Sequence, residues 1–234
     1  MRQGPLGQWV ARLACAVTSA ALAAATQAQV SGSVGLDSDY RYRGVSLSGS
    51  RPSPSVTVNY DAPERWYAGA SATRVALTPS ETQVQWSGYA GWTTPPIDGR
   101  SLEIGLDGSH FASVSGYDFA EAYAGVLADR WSVRLYYAPN YYGRRTQVAY
   151  MELNAYPAID RKVRLFAHVG ALVPLAGAAD DAAKTRLDAS VGAGLALGRW
   201  DLHVAAVAAT PLGPYPAIYS GRRAALVVGA SASF

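Results

Sequence analysis

The chain has 234 residues, of which 50% are hydrophobic and 16% charged, with a formal net charge of +3. About a quarter charged is usual for a soluble domain, so the chain is poor in charge. Most of the net charge comes from the N-terminal segment, and the rest is near balance, which removes the electrostatic case for a nucleic-acid partner.

Residues 1–28 read as a cleaved signal peptide. Arg2 and Arg12 frame a basic start, residues 13–25 form a short apolar run, and Thr26-Gln27-Ala28 offers a small-residue cleavage site. The mature domain is then residues 29–234, with 18 basic residues against 17 acidic once Arg2 and Arg12 are gone. The only cysteine, Cys15, lies in the removed segment, so disulfides and cysteine-ligated metals are not expected. Arg12, three residues before it, argues against lipoprotein cleavage. Past the signal, no apolar run reaches the roughly 20 residues of a membrane-spanning helix.

From Val30 onward the apolar residues recur at every second position, the period of a strand. Twelve strands are predicted. The first covers 30–43, with Val30, Gly32, Val34, Leu36, Tyr40 and Tyr42 on one face and Asp37, Asp39, Arg41 and Arg43 on the other. The second covers 54–61 (Val56, Val58, Tyr60) and the third 66–73 (Trp66, Ala68, Ala70, Ala72). The fourth, 83–93, presents Val84, Trp86, Ala90 and Trp92, and the fifth, 101–110, presents Leu102, Ile104 and Leu106. The sixth covers 119–128, with Ala122, Ala124 and Val126.

The second half continues the habit. Trp131 to Tyr137 mark the seventh strand, Ala149 to Ala155 the eighth and Val163 to Val169 the ninth. Leu187 to Leu197 mark the tenth, Trp200 to Ala206 the eleventh and Ala224 to Phe234 the twelfth. None of the chosen faces holds Asp, Glu, Lys or Arg. The opposite faces add Glu103, Asp107, Glu121, Arg134, Glu152, Arg164, Arg186, Asp188, Asp201 and Arg223. Connections after even-numbered strands are mostly short. Those after odd-numbered strands (44–53, 74–82, 111–118, 138–147, 172–184 and 209–221) are longer and rich in Gly, Ser, Pro and Asp.

This pattern predicts an all-β fold, a transmembrane antiparallel up-and-down β-barrel of about twelve strands in a bacterial outer membrane. In hydrocarbon, strands must close on themselves, because each unpaired backbone group costs several kcal/mol. The apolar faces meet lipid, and the fourteen charged residues named above line the lumen. Tyr40 and Tyr42 are expected at the outer interface. Trp66, Trp131, Trp200 and Tyr60, beside short turns, form an aromatic girdle. A soluble β-sandwich also alternates, but the small residues on these faces would fill a core poorly. Val228, Ala230, Ala232 and the terminal Phe234 resemble the C-terminal signal read by the barrel-assembly machinery.

Several segments resemble the TorF family, a group of porin-like proteins long described as conserved hypothetical. They are V-S-G-S-V-G-L-D-S-D-Y-R-Y-R-G-V-S at 30–46, W-Y-A-G-A at 66–70, Y-Y-A-P-N-Y-Y-G at 136–143 and Y-M-E-L-N-A at 150–155. The loops at 175–184 and 212–219 follow no family pattern. The resemblance covers the mature chain and implies an outer-membrane barrel with pore activity, without a known substrate.

The expected function is a small diffusion channel for ions or small solutes, with outer-membrane lipid, lipopolysaccharide and the barrel-assembly machinery as partners. A plugged structural or surface-binding barrel is the alternative. Twelve strands lie between filled eight-stranded barrels and open channels of 16–18 strands. Acids and bases in near balance set a transverse field in a pore or pair across strands. Arg144, Arg145, Arg222 and Arg223, at strand–loop edges, suit anions or lipopolysaccharide phosphates, or are solvated loop charge. Enzyme activity is not expected. His110 lies near Ser109 and Ser113, and His203 shares a face with Asp201, but no G-x-S-x-G elbow occurs. The sequence carries no metal-ligand cluster or cofactor fingerprint.

Overall fold

The computed structural model describes residues 29–78, 81–157, 159–160, 162–178, 183–211 and 223–234. Its strands in the first half are β1 (Gln29–Asp37), β2 (Arg41–Tyr42), β3 (Val45–Ser46), β4 (Ser53–Asp61), β5 (Trp66–Thr78), β6 (Glu81–Thr93) and β7 (Arg100–Phe111). The second half contributes β8 (Phe119–Ala128), β9 (Trp131–Tyr141), β10 (Thr146–Ala155), β11 (Val163–Ala176), β12 (Arg186–Leu197), β13 (Trp200–Ala209) and β14 (Ala224–Ser233). Apart from β2 and β3, every strand pairs antiparallel with its neighbours, and β1 joins β14 to β4. The result is the predicted closed barrel of twelve strands. At the seam, Gly32 N donates to Phe234 O at 3.1 Å and Phe234 N donates to Gly32 O at 2.9 Å. The last residue thereby extends the β1–β14 ladder, so closure leaves few backbone groups unpaired.

The alternation seen in the sequence is the alternation of the wall. On β7, Leu102, Ile104 and Leu106 are 59%, 60% and 64% exposed on the outside, while Glu103 between them is 2% exposed inside. A charge needs a polar partner once water is removed, and the closed interior supplies one. Trp66 and Trp200 stand exposed at the short-turn rim, with Trp131 half-buried there. The Arg100 guanidinium lies 6.0 Å from the Trp131 ring centroid and that of Arg199 lies 5.7 Å from Trp200. The outer register is therefore free of charge only in mid-wall. Arg74, opposite Val84, and Arg100, opposite Ala128, extend it at the strand ends.

Inside, large rings lie against glycines of the neighbouring strand. Tyr123 is in register with Gly105, and a Cβ at Gly105 would collide with the Tyr123 phenol and with the Ala90 carbonyl. Tyr67 covers Gly91 in the same manner. Glycine is needed at both places because a narrow barrel has no room for a ring and a side chain at one level.

The first expected strand is corrected. β1 ends at Asp37, not at residue 43. Ser38 N still donates to Val228 O at 2.8 Å, after which the chain leaves the wall. It enters the barrel and turns back as the hairpin of β2 and β3. Arg43 and Gly44, the two turn residues, have φ of 48° and 74°. Two consecutive positive φ values match the twist of a tight hairpin, which a wall strand would not tolerate. The return arm is tied to the wall by Ala76 N donating to Leu47 O at 2.7 Å. Residues 44–53, expected as a rim loop, are therefore largely an inner segment, with Val45, Ser46, Leu47 and Ser48 buried.

Three other loops are shorter than expected because their strands run on. β5 continues to Thr78 and β6 starts at Glu81, β9 continues to Tyr141, and β11 continues to Ala176. On the short-turn side, Asp160 accepts the Lys162 and Val163 backbone N–H groups at 2.6 and 2.8 Å. These bonds favour the ionised form and hold its carboxyl below the usual carboxylate range.

Candidate functional site

The barrel interior falls into three levels. Towards the long-loop rim it is an apolar core: Val45 and Leu47 of the inner hairpin pack with Val75, Phe111, Phe119, Tyr141, Val148 and Leu172 of the wall and with Tyr142 of the turn after β9. The Phe119 ring lies 4.7 Å from that of Tyr142 and 5.0 Å from that of Tyr141. These strand ends turn large side chains inward, and the hairpin supplies the surface they bury against.

The middle level is charged and phenolic, and Arg43 stands at its centre. Its Nη2 donates to Glu121 Oε2 at 2.6 Å and its Nη1 to Glu121 Oε1 at 3.0 Å, a bidentate pair. Nη1 also donates to the Tyr141 hydroxyl at 3.1 Å. The guanidinium sits 3.9 Å from the Tyr150 ring centroid and 4.9 and 5.2 Å from those of Tyr42 and Tyr136. The side chains of Arg43 and Glu121 are 5% and 0% exposed. A second cluster surrounds Glu103, which accepts Arg134 Nε and the Tyr67 hydroxyl, the latter at 2.8 Å. Arg134 Nη1 lies 3.7 Å from Glu152, which accepts the Tyr136 hydroxyl at 3.2 Å.

Open space lies at the middle level and from there down to the short turns. A cavity of about 720 Å³ reaches from Tyr40 and Tyr42 past Asp107 and Tyr89 to Ala62, Arg65 and Thr93. A second, of about 300 Å³, lies between the hairpin and Tyr150, His168 and Asp188. A third, of about 530 Å³, runs from Asp39 and Arg41 to Arg164 and His203.

The expected charged residues occupy different places in this scheme. Glu103, Asp107, Glu121, Arg134, Glu152, Arg164, Arg186, Asp188 and Asp201 belong to wall strands in the interior register. Asp37, the last residue of β1, faces His203 Nε2 at 3.0 Å. Asp39, Arg41 and Arg43 are not wall residues. Asp39 is held within the hairpin segment by Arg41 Nε at 2.7 Å and by the Ser46 and Ser48 hydroxyls. Tyr40 and Tyr42, expected at the outer interface, point inward, with Tyr42 donating to Glu121 at 3.1 Å. Their rings alternate with charge as in a girdle strand, but the turn at Arg43–Gly44 carries them inside. Arg223 lies exposed just before β14, and Arg222 is outside the described residues. Arg144 and Arg145 are exposed in the turn after β9, Arg144 with its guanidinium 5.8 Å from the Tyr117 ring.

Among the described residues no histidine is hydrogen-bonded to a serine, although His168 stands in register with Ser190. His110 Nδ1 bonds Asp118 at 2.6 Å on the outer register, while Ser109 faces inward to Gln85 and Ser87. His168 bonds Asn154, Tyr150 and Asp188. Asp201 pairs with Arg164 rather than with His203. The residues that sequence reasoning missed are the interior tyrosines, Tyr67, Tyr89, Tyr123, Tyr136 and Tyr150. Their odd–even position opposite the apolar faces was the available signal.

A closed twelve-stranded wall, apolar outside and polar within at mid-height, defines a transmembrane β-barrel. The model of a family described as "Bacterial protein of unknown function (Gcw_chp)" matches residues 21–193, and the chain belongs to that family. No curated protein matches the chain in sequence. Among solved structures it is similar to the NanC porin, with a TM-score of 0.60 at 10% identity, covering 87% of this chain and 99% of that one. It is also similar to the KdgM porin, with a TM-score of 0.56 at 10% identity and coverages of 87% and 99%. KdgM has also been solved in complex with disordered oligogalacturonate, and that structure gives a TM-score of 0.55 at 10% identity, covering 88% of this chain and 98% of that one. At such identities the likeness is one of fold.

Proposed function

We propose that the chain is an outer-membrane diffusion channel for ions or small solutes whose conduit is narrowed by the hairpin of residues 38–52. The observation that carries this reading is the barrel interior. It is polar at mid-height and holds cavities of about 720, 300 and 530 Å³ that border on the inner hairpin. A barrel that served only as a scaffold could fill that space with side chains, as eight-stranded barrels do. The TorF-like segments at 30–46 and 136–143 supply the hairpin and part of the core it packs on, which favours the same assignment. With short turns placed at the periplasm, the hairpin core lies towards the cell surface, near the exposed Arg144 and Arg145 that suit lipopolysaccharide phosphates. Phe234 closes the seam against Gly32 of β1.

An acidic saccharide such as the oligogalacturonate bound to KdgM suits this interior poorly, because its mid-level holds more carboxylates than guanidinium groups. The apolar core around Leu47, Phe111 and Tyr141 favours a second reading, a barrel without flux. Proteoliposome swelling separates the two. Vesicles carrying refolded residues 29–234 are expected to swell in small neutral solutes such as glycerol faster than empty vesicles, and more slowly as the solute grows. Swelling no faster than in empty vesicles would favour the plugged barrel.

A further inference from the structure

The mid-level of the barrel is not electrically balanced. Glu103, Asp107, Glu121 and Glu152 face Arg43 and Arg134 there. Both guanidinium groups are committed, Arg43 to Glu121 and Arg134 to Glu103 and Glu152. Asp107 is directly opposite Glu121 in the β7–β8 register, and like charges in that position repel. Among the described residues it has neither a hydrogen bond nor an ion pair. Asp107 also lines both the 720 Å³ and the 300 Å³ cavities, together with Tyr42 and Tyr136. On its other side, in register on β6, stands Tyr89.

An uncommitted carboxylate among phenol rings has the chemistry of a cation site. The carboxylate supplies charge, and ring faces attract a cation within about 6 Å while covering its apolar part. An anion at Asp107 would meet Glu121 and Glu152 as well, with the guanidinium groups of Arg43 and Arg134 already paired to carboxylates. A neutral polyol would bring no counter-charge to Asp107, whose cationic neighbours Arg43 and Arg134 are paired with other carboxylates. We propose that the junction of the two cavities binds a small organic ammonium ion, with the ammonium on the Asp107 carboxylate and the alkyl part among Tyr42, Tyr89 and Tyr136. This deepens the reading of the barrel as a conduit by naming the class of solute it would favour. The larger cavity has the size of a small-molecule site and reaches the short-turn rim at Ala62 and Arg65, which gives the ion a path of entry.

The test needs no conduction, so it is decided separately from channel activity. Refolded residues 29–234 in detergent micelles are titrated calorimetrically with n-butylammonium chloride and, in parallel, with sodium butyrate. Saturable binding of the ammonium ion and none of butyrate is expected. Asp107→Asn should weaken the ammonium ion by about tenfold or more, whereas Glu64→Gln, in an exposed turn, should leave it unchanged. Folding of each variant is checked by its heat-dependent mobility on gels. Absence of ammonium binding to the unsubstituted protein, preference for butyrate, or equal binding by folded Asp107→Asn would overturn the proposal. Should Asp107→Asn fail to fold, the ammonium–butyrate comparison on the unsubstituted protein decides it.

Discussion

Arg43→Ala is expected to destabilise the folded barrel by about 3–5 kcal/mol, the usual cost of breaking a buried ion pair from one side. The substitution leaves the Glu121 carboxylate, 0% exposed, without its bidentate partner. It also removes the bond to the Tyr141 hydroxyl and the stacking on Tyr150. These contacts lie between the hairpin and three different wall strands, β8, β9 and β10, so no neighbour can replace them. Urea titration in lipid vesicles, followed by tryptophan fluorescence, measures the loss. The double substitution Arg43→Ala, Glu121→Gln should recover a large part of it, since the orphaned charge, rather than the missing arginine, carries most of the cost. A single variant as stable as the parent would show that the hairpin is not docked as described.

The second large effect lies on the other face of the wall. Ile104→Arg should impair insertion into lipid by about 2–4 kcal/mol, the price of a guanidinium near the bilayer midplane. Ile104 is 60% exposed in mid-strand, between Trp92 and Ala124 of the adjoining strands. On a soluble protein, a substitution at so exposed a site would be worth within about 0.5 kcal/mol in either direction. The fraction folded into vesicles, read from heat-dependent mobility on gels, therefore distinguishes a lipid-facing wall from a water-facing one. Unchanged insertion would contradict the membrane reading.

The wall was legible in the sequence because burial there has one cause and one period. Each of the residues Leu102, Ile104 and Leu106 points out and Glu103 points in for the same steric reason. The hairpin was not legible because its residues keep the same period after they leave the wall. Asp37, Asp39, Arg41 and Arg43 continue the alternation of 30–36 without a break. The only local sign was Arg43-Gly44, and an arginine at positive φ is a weak signal compared with asparagine. The interior tyrosines escaped notice for a related reason. A period-2 pattern assigns a face but not a height, and only the fold shows that Tyr67 donates to Glu103 and meets the Tyr123 hydroxyl, while Tyr136 donates to Glu152.

The central claim is that a polar conduit runs through the barrel and that residues 38–52 narrow it. Single-channel recording in planar bilayers tests this most directly, comparing refolded residues 29–234 with a variant in which 39–51 are replaced by a short Gly-Ser linker. Discrete steps that are small or rare in the parent and several times larger in the variant are the predicted result. A variant that folds into the bilayer yet stays silent at all voltages would contradict the claim, because the wall alone would then close the barrel.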